Sequence, residues 1–109
     1  MTGNLSRAFS ALGDRTRFAI VDQLLRDGEK SAGEIVDSVS LSAPAVSRHL
    51  KVLHSAGVLD RRVARQKRLY TVRPDMIRAI NRWTMDHQAF WSSALDRLEQ
   101  ALNKDGLDD

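Results

Sequence analysis

Cysteine is absent from this 109-residue chain. That excludes disulfides and thiolate metal sites together. Prolines number two and glycines six, too few for a low-complexity or disordered chain. No apolar run approaches the roughly 20 residues needed to span a bilayer. The opening stretch, MTGNLSRAFSALGD, lacks the apolar centre of a signal peptide. A cytoplasmic location is therefore expected, with no membrane partner. Catalytic signatures are missing as well. There is no phosphate-cradling glycine loop, no metal-hydrolase motif, and no nucleophile with a base and an orienter at recognisable spacing. His49, His54 and His87 are scattered singly. Neither an enzymatic activity nor a cofactor is expected.

What is present is ordinary in bulk and uneven in detail. The apolar fraction is 42% and the charged fraction 28%, as in a soluble globular protein. The length suits one domain, residues 1–109, with one modest core. The net charge of +3 hides an asymmetry. Up to Arg73 the chain has 13 Lys/Arg against 7 Asp/Glu; from Pro74 onward it has 4 against 7. A positive surface on the first two-thirds points to a phosphate backbone as partner.

The stretch from Ser42 to Gly57, SAPAVSRHLKVLHSAG, carries the most information. Val46, Leu50 and Leu53 follow the i, i+4, i+7 spacing of one helical face. Ser47, Arg48, Lys51 and His54 fall on other faces. Ser42 is placed to cap the helix, Pro44 is tolerated in its first turn, and Gly57 can stop it. A helix of this size fits the major groove of B-DNA, where small residues at its start can approach base edges.

Upstream, Leu5 to Leu12 reads as a short helix with Leu5, Phe9 and Leu12 on one side, ended by Gly13. Asp14 can cap a helix from Arg15 to Arg26 with Phe18, Val21, Leu24 and Leu25 inward; Gly28 closes it. Ser31 can cap a third helix with Ile35, Val36 and Val39 inward. Two short helices over 31–56, joined at Ser40 to Ser42, make a helix-turn-helix pattern. From Val58 the period turns to alternation. Strands are expected over Val58 to Val63 and Arg68 to Val72, together a wing over 58–73. Ala64 to Lys67 holds neither Gly nor Asn-Gly, so a looser, mobile loop is expected there. Pro74 ends the hairpin. One long helix over 75–103 then carries Met76, Ile77, Ile80, Trp83, Thr84, Phe90, Trp91, Leu95, Leu98 and Leu102, a stripe too apolar to stand exposed. The polar tail from Lys104 to Asp109 is expected to fray. The fold class is mainly α with a small β-hairpin: a winged helix-turn-helix of about five helices and a two-stranded wing.

Three groups of residues suit double-stranded DNA. Ser42, Ala43 and Ala45 are small and open the reading helix. Ser47, Arg48, His49 and Lys51 lie along it; Arg48 suits a guanine edge or a phosphate equally. Arg61, Arg62, Arg65, Gln66, Lys67, Arg68 and Arg73 fall in a segment, 61–73, that has no acid. A wing of that charge can follow phosphates or place an Arg in the minor groove. Arg15, Arg17 and Lys30 flank them. The alternative is that all of these are merely solvated faces. A protein-interaction module is the competing class, although Ser47, Arg48 and Lys51 suit it poorly.

ALGDRTRFAIVDQLL (Ala11 to Leu25), LSAPAVSRHLKVLHSAGVLDRR (Leu41 to Arg62) and RLYTV (Arg68 to Val72) resemble the ArsR/SmtB family of winged helix-turn-helix repressors. The resemblance spans most of the chain. It implies a homodimer joined through the first and last helices, 5–12 and 75–103, with Leu5, Phe9, Leu12, Ile80, Trp83, Phe90, Trp91, Leu95 and Leu98 at the interface. It also implies repression at an inverted-repeat operator, relieved by an effector. The bland alternative to the dimer folds the last helix over its own core.

The effector is where the sequence says least. Sensing through thiolates is excluded. A metal-responsive repressor with a site on the last helix would need Asp86, His87, Asp96 and Glu99. Asp86 and His87 are adjacent, about 100° apart around a helix, and do not readily share an ion, so no metal site is assigned. Trp83, Phe90 and Trp91 suit an interface, or else a pocket for an apolar small molecule. The stretch Arg82 to Leu102 resembles a branch of the family without known metal ligands. His49 is expected against the hairpin or a phosphate, and His54 exposed.

Overall fold

Asp14, Ser31 and Ser42 punctuate the first half of the chain, because each lends a side-chain oxygen to the start of a helix. The Asp14 carboxylate accepts the N–H of Arg17 at 3.0 Å and opens α2, Arg15–Asp27. Ser31 opens α3, Ala32–Ser38, with a complete capping box: its hydroxyl accepts the Glu34 N–H, and the Glu34 carboxylate accepts the Ser31 N–H. Ser42 opens α4, Ala43–Ser55, accepting from the Ala45 N–H at 3.3 Å. Ahead of them lies α1, Thr2–Leu12. These positions come from a computed structural model, which describes residues 2–107.

Two compact units divide the chain after Ala79. In the first, Ile20, Ile35, Val46, Leu50, Leu53, Val58 and Leu59 are the largest fully buried side chains. One inward assignment changes, on α2. On α1, Ala8 and Ala11 face the core and Phe9 is 41% exposed; the small residues let α1 lie close against α2 and α4. On α2 the buried stripe is Ile20, Val21 and Leu24, and Phe18 and Leu25 are exposed. They sit about 100° around the helix from the middle of that stripe. Val36 and Val39 are half-buried.

The wing has three strands rather than two. Between α2 and α3 lies β1, Lys30–Ser31, and the hairpin is β2, Leu59–Ala64, with β3, Lys67–Val72. The sheet order is β1-β3-β2, all antiparallel, with Ser31 opposite Leu69 and Leu59 opposite Val72. The looser loop expected over Ala64 to Lys67 is a tight turn. Ala64 pairs with Lys67, leaving only Arg65 and Gln66 between the strands. Arg65 takes φ 60 in the place where glycine is usual.

The single helix expected over 75–103 is two: α5, Pro74–Asp86, and α6, Gln88–Leu107. No proline or glycine marks the break at His87. Instead, the His87 N–H is shared between the Trp83 and Thr84 carbonyls at 3.3 Å each, and the His87 Nδ1 lies 2.8 Å from the Trp83 carbonyl oxygen. The imidazole also stacks on Trp83, with centroids 4.6 Å apart. Just before it, the Thr84 hydroxyl donates back to the Ile80 carbonyl, a bond that bends helices. Side chains competing for carbonyls interrupt the ladder. The tail expected to fray is helical as far as Leu107, and Asp108 and Asp109 lie outside the described residues. Among the described residues, no helix is long and apolar enough to cross a membrane.

Candidate nucleic-acid interface

Helix α4 is fixed from below by Val46, Leu50 and Leu53, each no more than 1% exposed. Its outward arc, about 100° wide, carries Ser47, Lys51, Ser55 and Arg48, all exposed. Arg48 and Lys51 make no ion pair among the described residues. Ala43 is exposed and Ala45 half-buried at the helix start. The Ser42 oxygen accepts the Ala45 N–H as the cap, which leaves its O–H to donate and one lone pair to accept.

His49 meets the start of α2. It is half-buried, with Nδ1 3.2 Å from the Arg17 Nη1 and 3.8 Å from an Asp14 oxygen. Arg17 also donates from Nε to the Ala11 carbonyl at 2.6 Å. One guanidinium thus ties the end of α1 and the start of α2 to the middle of α4. The Arg17 backbone N–H, more than any other neighbour, holds the Asp14 carboxyl below its usual value. His54 is half-buried rather than exposed.

The wing is less uniformly available than its charge suggests. Arg62 makes a two-pronged bond to Glu29, at 2.7 and 2.8 Å. That bond holds the Glu29 carboxyl low and raises Arg62. Arg73 is paired with Asp75 and, at 3.7 Å, with Asp60. Lys30 faces Asp27 at 3.6 Å. Arg61, Arg65, Lys67 and Arg68 are exposed and make no ion pair among the described residues. With Gln66, the last three form the tip. No local spacing reports Glu29 or Arg17 as partners of Arg62 and His49, because each pair is more than 30 residues apart in sequence.

In the second unit, Trp91, Leu95, Leu98 and Leu102 lie within about 40° of one line along α6 and are 47–61% exposed. Phe90 is off that line and meets Trp91 edge-on at 5.3 Å. Ile80 and Trp83 on α5 are half-buried, as are Leu5 and Leu12 on α1. Asp86 ends α5, His87 is the break, and Asp96 and Glu99 lie on α6. Among the described residues, no group of three or more His, Cys, Asp or Glu is placed to hold a metal ion.

Comparison with known proteins meets this geometry. A family model described as "Bacterial regulatory protein, arsR family" matches residues 14–61, which cover α2 to the start of β2. HTH-type transcriptional regulator Rv2034 of Mycobacterium tuberculosis is 38% identical over 102 residues, 94% of this chain and 92% of that protein. An ArsR-like transcriptional regulator from a Rhodococcus species shares the fold at a TM-score of 0.73 and 24% identity, covering 91% of this chain and 92% of that one. The homodimeric winged helix-turn-helix DNA-binding domain of a possible ArsR-family regulator from Mycobacterium bovis shares it at 0.66 and 23%, covering 81% and 83%.

Proposed function

The chain belongs to the arsR family of bacterial regulatory proteins, and from that premise we propose that it is a homodimeric repressor reading an inverted-repeat operator in double-stranded DNA. The observation that carries the reading is the outward arc of α4. Ser47, Arg48 and Lys51 are exposed and uncommitted on a helix whose opposite face is locked in the core. Arg48 reads a base edge or grips a phosphate. Ala43 and the Ser42 hydroxyl come close to the groove floor, with Ala45 beside them. Arg65, Gln66, Lys67 and Arg68 lie along the flanking backbone. Arg62 contributes less directly, since Glu29 already holds it. His49 acts from behind, through Arg17.

The exposed α6 stripe supports the dimer. Such a line of large apolar residues calls for burial, and a second copy supplies it. Leu5, Phe9 and Leu12 of α1, with Ile80 and Trp83 of α5, complete the proposed interface. Two-fold symmetry sets the reading helices about 34 Å apart, one turn of DNA. Occupying a promoter then blocks transcription by steric exclusion. The family and the relatives named above are transcriptional regulators, so the reading assigns no catalytic step. It places the protein in the cytoplasm with the chromosome.

A mobility-shift titration across salt concentrations tests this. Affinity should fall steeply and linearly on logarithmic axes. Arg48→Ala should weaken binding without changing the circular dichroism spectrum. Affinity indifferent to salt, or no binding to any duplex, would favour a protein-interaction module.

A further inference from the structure

Helix α1 presents three faces at its steps of about 100°. Ala8 and Ala11 face the core, and Leu5, Phe9 and Leu12 make the apolar side. Ser6, Ser10 and Arg7 make a third, pointing away from that apolar side. This third face borders α4 across an open groove of about 690 Å³, completed by Ala11, Arg17, Lys51, Val52, Ser55 and Ala56. Its chemistry is one-sided. Three cations and three hydroxyls line it, over an apolar floor of Ala11, Val52 and Ala56, and no carboxylate does. Arg7 and Lys51 make no ion pair among the described residues. Arg17 spends Nε and one N–H of Nη1 on Ala11 and His49, which leaves the second Nη1 N–H and Nη2.

We propose that this groove binds a small-molecule effector through a carboxylate or phosphate group, and that occupancy weakens DNA binding. The second half rests on the DNA-reading role of α4 given above. Cations from three helices line the groove with no carboxylate among its walls, the Asp14 carboxylate near Arg17 lying outside them, and serine hydroxyls beside them can donate to the same oxyanion. The volume is in the range of organic ligands rather than bare ions, so the anion carries an apolar body that lies on Val52 and the two alanines. Lys51 belongs both to this groove and to the outward arc of α4. An anion seated on it cancels a phosphate-directed charge and sets a negative charge beside the DNA backbone. The same anion draws on Arg17, the residue that holds His49.

The test uses the full chain and two probes, inorganic phosphate and phenyl phosphate, at constant ionic strength. In the DNA-free protein, phenyl phosphate should shift the amide resonances of Ser6, Ser10, Lys51 and Ser55 saturably, binding tighter than inorganic phosphate. Arg7→Ala with Ser10→Ala, both exposed positions, should weaken that binding at least fivefold with an unchanged melting temperature. In mobility shifts, phenyl phosphate should lower the DNA affinity of the wild type at least threefold and that of the double variant not at all. Three outcomes overturn the site: no saturable shift, equal shifts in the double variant, or shifts confined to the wing. A double variant that loses DNA affinity while the wild type ignores both probes assigns the groove to a DNA phosphate instead. A protein that binds no duplex overturns the repressor reading and the coupling, while the DNA-free titration still decides the site.

Discussion

The Arg17 Nη1 on α2 lies 3.2 Å from the His49 Nδ1 on α4. A guanidinium can only donate, so this contact is a hydrogen bond in the His49 tautomer that leaves Nδ1 free to accept. The same side chain donates to the Ala11 carbonyl near the end of α1. Helix α4 is therefore tied to α1 and α2 by a single side chain. On the proposed reading, the angle at which α4 meets a groove depends on this bond between residues 32 positions apart in sequence.

Arg17→Gln should cost stability of about 1–2 kcal/mol, the worth of two hydrogen bonds, and lower operator affinity by more than the unfolded fraction explains. Arg17→Lys should not rescue it, because a point charge cannot serve Ala11 and His49 in two directions. Thermal denaturation paired with mobility shifts on the same samples checks this. Operator affinity equal to wild type would show that Arg17 does not position the reading helix.

The wing tip should act on all DNA sequences alike. Arg65→Gly with Lys67→Ala keeps the turn, since glycine tolerates the φ of 60 at Arg65. The salt slope of binding should become shallower by about 4, one for each phosphate no longer neutralised by the two wings of the dimer. Arg62→Ala should change it by less than half as much, because Glu29 already neutralises that cation. An effect of Arg62→Ala half as large as that of the double variant, the full share of one cation in three, would show that the Glu29 pair opens on DNA.

Trp91 sits in the exposed line of α6. Trp91→Ala should raise the dimer dissociation constant about tenfold or more, as for an aromatic anchor at an interface. Sedimentation equilibrium reads this directly. Wild-type dimerisation in that variant would move the interface elsewhere.

Acid should destabilise the fold through identifiable carboxylates. The Arg17 backbone N–H holds Asp14 low, and the Ser31 backbone N–H does the same for Glu34; Arg62 holds Glu29 low, and Arg73 holds Asp75. Groups with a depressed folded value bind fewer protons folded than unfolded, so their stabilisation is complete above the usual carboxylate range. It is lost as pH falls through that range, between about pH 5 and 3. Asp14→Asn keeps a cap but no titrating group, and should flatten this part of the profile. Chemical denaturation at stepped pH measures it.

The helix starts were legible because caps are local. Asp14, Ser31 and Ser42 announce α2, α3 and α4 within three residues of themselves. The buried stripe of α4 was legible for the same reason. The wing turn was not, since Arg65 takes a conformation that its type seldom adopts. Strand β1 is two residues long and exists only by pairing with β3, a pairing with no periodicity to show it. Nor was the break at His87 visible, because it arises from side chains bonding backbone carbonyls rather than from proline or glycine. At the candidate interface, the charge pattern marked the wing only as a whole. It could not tell Arg62, held by Glu29, from Arg65 or Lys67, because the partner comes from a distant part of the chain.

Selection of bound duplexes from a random pool puts two-fold symmetric readout of DNA to its sharpest test. A dimeric repressor enriches an inverted repeat whose half-sites lie about one helical turn, 10–10.5 base pairs, apart centre to centre. Enrichment of a single asymmetric site, or none above the starting pool, would contradict it.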